Sequence, residues 1–516
     1  MERAITRGAR VERNAQGVLR HVDPNFPEGR ISTARSWAPG ADADSRGGHD
    51  VSMALVRGDN PLADGLPAYL DSLYHKTANT IRGFDDAGKA TRYTVPYVRL
   101  PERPAGALTS EQHLAYDDAT HEALINHMES NIQAIHDAVP DDVKEGSAKW
   151  YDGGHEITKQ EALAQDIPHE NAAGVFAALS PRKDWDMNVN QARRVMHILS
   201  TTAPDARATP EMIQWMRGYA DTKPLTGEKL IIDPKTGQPT GRTKTFGTIV
   251  TKQDVLDDLD KITSQPWSEM KAKERAVYIR AYDEAHGPPE HLMVQDERTG
   301  EPLPRGFHIN NPDGSDSTLV ARYGPEQKNM VDQPRKITFG SNSDIANAVD
   351  AYYATNMPQI SEAMGEGHKV RSFYNSLIAP NSAAHDVTAD THAIAGALLR
   401  PLSVTDDEVK LGFGQGGPSS SALGTQGLYA HVREAYKRGG HRVGRQPREM
   451  QSIVWEAVRG LWNQTARMRN AVENAVGSHW QSYLRGEKTQ DAVQRELLGP
   501  DGQNIKPPRW HGSWRP

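Results

Sequence analysis

The sequence predicts a mainly α-helical protein whose helical core is split by a β-hairpin-rich insertion. Two observations support this fold class. Apolar residues recur at intervals of three and four in residues 106–200 and again in 338–484, which is the spacing of one helix face. Between these segments, residues 201–337 contain Gly- and Pro-rich turn sequences that separate short apolar runs, a pattern typical of β-hairpins.

Both ends of the chain are predicted to lie outside the helical core. Residues 1–105 are rich in Gly, Pro, Arg and Asp and have only short apolar runs, which predicts an irregular N-terminal extension. Residues 485–516 end in PPRWHGSWRP and are interpreted as a C-terminal tail. The mean hydropathy of −0.69 is low for a globular chain and agrees with long extensions.

The first core segment begins with a helix-start signal at Thr109–Gln112, which resembles a capping box. Apolar residues that share one helix face follow it: Leu124, Ile125, Met128, Ile132 and Ile135. A later helix is predicted to stop at Ser180, because a residue that precedes proline disfavours the helical conformation. Aromatic residues of the second core segment fall at helical intervals and are predicted to be buried core: Tyr436, Trp455 and Trp462.

Length and composition exclude several classes of protein. A chain of 516 residues is long enough for two to four domains or one elaborated domain. Cysteine is absent, which excludes disulfides, a thiolate nucleophile, Cys-ligated zinc and a Cys-held iron–sulfur cluster. No apolar run approaches the length of about 20 residues that spans a bilayer, and the N-terminus lacks an apolar signal region. We therefore expect a cytoplasmic protein with no membrane partner.

The charge is unevenly distributed along the chain. The net charge is −7, yet residues 431–470 contain nine Arg or Lys against three Glu. This local excess predicts a face that contacts DNA phosphates through Arg438, Arg442 and Arg445, with an ordinary solvated face as the alternative. No cofactor is predicted, and no metal site either, because His385, Asp386 and His392 match no known metal-ligand spacing.

The most informative segment runs from Gly365 to Leu399. A Gly-x-Gly turn leads into a helix that is predicted to start near Lys369, and a second helix is predicted to start near Asp390, 21 positions later. A helix over residues 369–379 is about 16 Å long, and the following ten residues are long enough to return over that distance. Lys369 and Asp390 can therefore meet at the starts of two neighbouring helices.

An amine and a carboxylate placed together in this way can attack a glycosidic carbon and stabilise the positive charge that develops on the sugar. The neighbouring cations His368 and Arg371 favour this interpretation, since they lower the pKa of an adjacent amine. Two plainer interpretations remain open. Lys369 can be a solvated first-turn lysine, and Asp390 can be an N-cap, a role compatible with catalysis.

This segment resembles the helix-hairpin-helix DNA glycosylases of the endonuclease III-like superfamily. Gly365-x-Gly367-x-Lys369 is similar to the family's hairpin, and Asp390-Thr391-His392 is similar to its Val-Asp-Thr-His segment. The resemblance implies a split, two-lobed helix-hairpin-helix core in which Lys369 is the Schiff-base nucleophile and Asp390 the catalytic carboxylate. It also implies DNA contacts by the residues of the hairpin and the following helix: Gly365, Gly367, His368 and Arg371.

A second resemblance to the same family lies upstream. The segments 178–181 (ALSP) and 188–192 (NVNQA) are similar to the family's Leu-Ser-Ala-Gln and Val-Asn-Lys-Ala segments, with one residue added. The resemblance implies that Arg182 or Lys183 fills the gap left by a flipped-out base. The hairpin departs from the family pattern, because Glu366 stands where an aliphatic residue is usual, and a carboxylate there repels a phosphate.

The function implied by the resemblance is a DNA base N-glycosylase, with or without abasic-site lyase activity. Such an enzyme acts in base excision on a base that is flipped out of double-stranded DNA. The chain also resembles uncharacterised proteins of phages that infect actinobacteria, which implies the host cytoplasm as its location. Three alternatives stay open: a DNA base-hypermodification enzyme on the same fold, a non-catalytic DNA-binding protein, and a structural protein that contacts other components of a phage particle.

Overall fold

The computed structural model describes the parts of the chain that position the candidate site. Apart from a few single residues, the described ranges are 10–13, 19–22, 81–84, 90–93, 95–102, 110–181, 185–232, 239–245, 250–287, 294–295, 302–303, 306–307, 335–336, 339–364, 368–381, 387–404, 406–412, 428–462 and 466–505. Within them the protein is mainly α-helical, which confirms the predicted class. None of the helices in these ranges is long and apolar enough to cross a membrane.

The α-helices are numbered in chain order. They are α1 Ser110–Ala138, α2 Asp141–Ala148, α3 Trp150–Ala164, α4 His169–Leu179, α5 Trp185–Thr201, α6 Pro210–Asp221, α7 Lys252–Ser264, α8 Ala272–His286, α9 Asn342–Tyr352, α10 Met357–Ala363, α11 His368–Ile378, α12 Thr391–Leu398, α13 Asp407–Gly412, α14 Leu428–Arg442, α15 Pro447–Leu461, α16 Ala466–Leu484 and α17 Gln490–Leu498. The strands are short and pair consecutively along the chain. They are β1 Arg10–Arg13, β2 Leu19–Val22, β3 Ile81–Phe84, β4 Ala90–Tyr93, β5 Glu228–Ile232, β6 Pro239–Thr245, β7 Val294–Gln295, β8 Pro302–Leu303, β9 Gly306–Phe307 and β10 Arg335–Lys336.

The strands form two-stranded antiparallel pairs: β1–β2, β3–β4, β5–β6, β7–β8 and β9–β10. The chain divides into two compact units. Unit 1 consists of Met1–Gln160 and Asn356–Pro516, and unit 2 is Glu161–Thr355. The two segments of unit 1 are thus separated in sequence by unit 2. Helices α4 and α5 belong to unit 2.

The core of unit 1 is built around α1. All five of its predicted core residues are buried, from Leu124 to Ile135, and the helix packs against α12, α14 and α15. At the crossing of α12 and α15, a Cβ on Gly396 would lie 2.4 Å from Val454 Cγ1, so only glycine lets these helices approach so closely. Asn131 of α1 also donates a hydrogen bond to the carbonyl of Ala397, at 3.0 Å.

The predicted C-terminal tail is wrong as far as residue 505. Residues 490–498 form α17, whose Val493 and Leu498 are buried in the core of unit 1. Gln490 donates a hydrogen bond to the carbonyl of His127 at 2.9 Å, and Gln494 donates one to Asn131 Oδ1 at 2.8 Å. The tail prediction relied on the terminal sequence PPRWHGSWRP and missed the short apolar face of this helix.

Unit 2 is also helical, and its core contains a buried ion pair. Arg194 of α5 binds Asp283 of α8, and each side chain is only 2% exposed. The expectation of a β-rich segment over 201–337 is therefore wrong where α6, α7 and α8 lie. Helix α7 was missed because its short apolar face lies between turn-rich sequences. Its buried residues are spaced by four and three: Val255, Leu259 and Ile262.

Candidate functional site

Asp390 lies at the N-terminus of α12, in unit 1. Its Oδ1 accepts a hydrogen bond from the backbone N–H of Ala393 at 2.8 Å, so the residue is the N-cap of the helix, as the sequence suggested. Its Oδ2 accepts a hydrogen bond from the indole N–H of Trp455 at 2.9 Å, and His392 Nδ1 lies 3.7 Å from the same oxygen. Both carboxylate oxygens therefore have fixed donors, and the side chain stays 18% exposed.

These contacts keep the Asp390 carboxyl ionised. Burial alone would raise its pKa. The nearby His392, the charge of Lys369 and the hydrogen bond from the Ala393 N–H together outweigh burial and lower the pKa from 3.8 to about 2. At neutral pH Asp390 is therefore a carboxylate with little tendency to accept a proton.

Lys369 lies in the first turn of α11 and is half-buried. Burial lowers the pKa of its amine below 10.5, and the negative charge of Asp390 partly opposes this. The same interaction acts on Asp390, whose pKa the charge of Lys369 helps to lower. Within the described ranges, no hydrogen bond or ion pair holds the amine of Lys369.

A row of aromatic side chains extends from Asp390 to α11. Phe373 follows Lys369 by one turn on the same face of α11. Its ring centroid lies 6.1 Å from that of Trp150, which in turn lies 6.3 Å from that of Trp455. His392 meets Trp455 edge-on at 5.7 Å.

Trp455 also makes a cation–π contact, since the guanidinium of Arg459 lies 4.5 Å from its ring centroid. Trp150, Trp455 and His392 are half-buried, so part of this aromatic wall faces solvent. The prediction that Trp455 is plain core is therefore incomplete, because the ring both lines the site and binds Asp390. Tyr436, by contrast, is fully buried as predicted.

One predicted DNA contact is wrong. Arg371 is 1% exposed, so its guanidinium offers no surface to a phosphate. The helix α11 turns Lys369 and Phe373 toward the site and Arg371 into the protein. Gly365, Gly367 and Arg182 lie outside the described residues, and for His368 the structure describes only its backbone position at the start of α11.

The basic residues of the α14 region are engaged within the protein. Each predicted phosphate-binding arginine has an acidic partner on α1 or α2: Arg438 with Glu122 at 2.6 Å, Arg442 with Glu129 at 2.5 Å, and Arg445 with Glu145 at 2.6 Å. Arg438 also contacts Glu434 on its own helix. DNA binding by these arginines stays a prediction, and it would require each to share or leave its carboxylate.

The upstream resemblance corresponds to the α4–α5 turn of unit 2. Ser180 follows the last residue of α4, and its carbonyl accepts a hydrogen bond from the backbone N–H of Lys183 at 3.3 Å. Asn188 is buried and donates a hydrogen bond to the carbonyl of Phe176 at 2.9 Å, which joins α5 to α4. This segment thus has a structural role, and the gap-filling role of Arg182 or Lys183 stays a prediction.

The comparisons with known proteins give one match. A model of a family of unknown function, DUF7178, matches residues 116–221 and 337–462, a little under half of the chain. No curated protein and no solved structure matches the chain. Lys369, Asp390 and the surrounding aromatic residues all fall within the matched segments, whereas β5–β10, α7 and α8 lie between them.

The chemistry available at the site is that of an amine and a carboxylate. In the parts of the chain that the structure describes, no cluster of three or more His, Asp or Glu side chains could hold a metal ion. The site instead combines a half-buried amine, a carboxylate that is ionised at neutral pH and flat apolar rings. Such a set of groups can bind a planar substrate and stabilise a cation beside it.

Proposed function

We propose that the protein is a DNA base N-glycosylase of the helix-hairpin-helix type, with Asp390 and Lys369 as its catalytic residues. The observation that carries the proposal is the pairing of an ionised Asp390 with an amine whose pKa is lowered, at the starts of α12 and α11. The resemblance of both segments to the glycosylases supports the same assignment. The substrate is a base turned out of double-stranded DNA.

In this proposal Asp390 acts by electrostatics. Loss of a base from deoxyribose develops positive charge on C1′ and O4′, and a carboxylate beside them stabilises that charge. Because its pKa is about 2, Asp390 is a poor general base at neutral pH. Trp455 and the Ala393 N–H keep the carboxylate oriented, so the charge need not reorganise during the reaction.

Lys369 supplies the nucleophile of the lyase branch. Its unprotonated amine attacks C1′, the bond from C1′ to the base nitrogen breaks, and the base leaves with that electron pair and takes up a proton. The amine then loses a proton as the bond from C1′ to O4′ breaks and O4′ is protonated, which leaves a Schiff base. A lowered pKa of Lys369 raises the fraction of unprotonated amine that can start this sequence.

Covalent trapping tests the proposal. The full chain is incubated with duplexes that contain an abasic site or a damaged base, and borohydride is added to reduce any Schiff base to a stable amine. We expect a protein–DNA adduct that is lost in Lys369→Ala and kept in Lys149→Ala, an exposed lysine of the same unit. Base release, measured separately by chromatography, should be lost in Asp390→Asn.

The outcomes separate the proposal from its rivals. Base release without an adduct assigns the attack to water and leaves Asp390 as the catalytic group. Salt-dependent DNA binding that weakens in Lys369→Ala, with neither adduct nor base release on any duplex, would replace the proposal with a non-catalytic DNA-binding protein. Failure to bind DNA at all would refute every form of the proposal.

A further inference from the structure

The hydroxyl of Tyr429 joins the two backbone segments that carry Lys369 and Asp390. Tyr429 is the second residue of α14 and is 3% exposed. Its oxygen lies 2.9 Å from the carbonyl of Val387, 3.3 Å from the backbone nitrogen of Ala389 and 3.1 Å from the hydroxyl of Ser372. Three groups from two separate segments therefore meet at one phenolic oxygen.

The hydrogen-bonding capacity of this hydroxyl accounts for all three contacts. A phenol has one proton to donate and can accept from other donors. The carbonyl of Val387 can only accept, so it receives the Tyr429 proton, and the N–H of Ala389 can only donate. The Ser372 hydroxyl is then the donor in the third contact, which leaves the phenol fully bonded in a buried position.

The bonded groups lie next to the catalytic pair. Ser372 is one helical turn after Lys369 on α11, and Ala389 directly precedes Asp390. No hydrogen bond holds the Lys369 amine within the described ranges, so the position of α11 sets its distance from Asp390. The Tyr429 hydroxyl therefore links α11 to the backbone segment that precedes Asp390.

We propose that Tyr429 is a positioning residue that fixes the distance between Lys369 and Asp390 without contacting the substrate. This inference rests on the proposed function, since it concerns the geometry of the same pair. Removing the hydroxyl frees the two segments to shift relative to each other, and small displacements of reacting groups reduce rates strongly.

The chain offers a matched control on the same helix. Tyr436 is also fully buried on α14, and its hydroxyl donates one hydrogen bond to the carbonyl of Ala393, at 2.9 Å. That bond ties α14 to α12, and within the described ranges no hydrogen bond joins Tyr436 to α11. Tyr429→Phe and Tyr436→Phe therefore delete the same atom from equally buried rings, but only the first releases Lys369 from Asp390.

The test compares the two variants in two measurements. In the borohydride assay on abasic duplex, Tyr429→Phe should slow adduct formation about 10- to 100-fold, whereas Tyr436→Phe should stay near wild type. The second measurement needs no DNA. The amine of Lys369 is labelled by reductive carbon-13 methylation, its signal is identified by its loss in Lys369→Arg, and its pKa is measured by NMR titration.

The charged group that acts on Lys369 within the described ranges is Asp390, which His392 contacts in turn. In Tyr429→Phe we expect the Lys369 pKa to move toward 10.5, as the amine gains water, and in Tyr436→Phe we expect it to stay at the wild-type value. Equal Lys369 pKa values in the two variants would overturn the positioning role. Wild-type protein that forms no adduct, combined with a shifted pKa in Tyr429→Phe only, would instead reject the glycosylase and retain the positioning role.

Discussion

Replacing Asp390 by Asn should separate the contribution of its charge from that of its cap. An Asn side chain keeps one oxygen that can accept from the Ala393 N–H, so the N-cap of α12 survives, while the negative charge and the acceptor for the Trp455 indole are both lost. The fall of the Asp390 pKa from 3.8 to about 2 corresponds to about 2 kcal/mol of folding free energy at neutral pH. The free energy of unfolding of Asp390→Asn should therefore be about 2 kcal/mol lower than that of the wild type. Asp390→Ala should lose about 1 kcal/mol more, because it also loses the cap.

The pH dependence gives this prediction its sign. A carboxyl whose pKa is lowered by folding contributes its full stabilisation above its unfolded value of 3.8 and loses it as pH falls through about 2. The difference between wild type and Asp390→Asn should thus shrink from about 2 kcal/mol at pH 7 to about 1 kcal/mol at pH 3. This difference in the free energy of unfolding is measured by urea unfolding, monitored by circular dichroism at pH 7 and at pH 3.

Two results would refute this reasoning. One is an Asp390→Asn protein as stable as wild type at pH 7, and the other is a difference that is the same at pH 3. The same variant also tests the electrostatic role, because base release should fall about 100-fold while the protein stays folded. A folded variant with the wild-type rate would remove the charge of Asp390 from the mechanism.

Three further predictions concern stability. Burial lowers the pKa of His127 from 6.5 to about 4. The free energy of unfolding should therefore fall by about 3 kcal/mol as pH drops through this window. Urea midpoints at pH 7 and pH 4 should show a smaller loss in His127→Leu than in the wild type. Gly396→Ala forces a Cβ against Val454 and should cost about 1–3 kcal/mol in the free energy of unfolding. Its control, Gly218→Ala, has no atom within 4 Å of the new Cβ and should gain up to about 1 kcal/mol; equal effects would contradict the close α12–α15 packing. Asp283→Ala leaves the buried guanidinium of Arg194 without its carboxylate and should cost about 3–5 kcal/mol, and Arg194→Met in the same chain should recover part of that loss, which a double-mutant cycle measures.

Local signals in the sequence predicted the core face of α1 and the N-cap at Asp390. The spacing of apolar residues located α1 and its core face because helix periodicity is written in consecutive residues. The Asp-Thr-His segment located the N-cap at Asp390 for the same reason, since a cap depends on residues within one turn. Chain lengths alone predicted that Lys369 and Asp390 can meet.

Contacts between distant segments could not be read in this way. Trp455 lies 65 positions from Asp390, and its indole reaches the carboxylate only because α12 and α15 cross at Gly396. A DNA contact by Arg371 was implied by the resemblance of the hairpin segment, yet the packing of α11 leaves Arg371 only 1% exposed. The ion pairs of Arg438 and Arg445 likewise depend on how α14 and the residues after it pack on α1 and α2.

The cap at Asp390 bears on how relatives of this protein can be compared. The Asp390 carboxylate both caps α12 and binds Trp455. A lineage that lost the proposed glycosylase chemistry would therefore still be selected to keep Asp390. Retention of Asp390 in a relative would then record inheritance of the fold, whereas Lys369, whose amine has no hydrogen bond within the described ranges, would be free to change. Under the proposed function, relatives with Asp390 but another residue at position 369 should fold normally and form no covalent adduct with DNA, which would make position 369 the better marker of lyase activity.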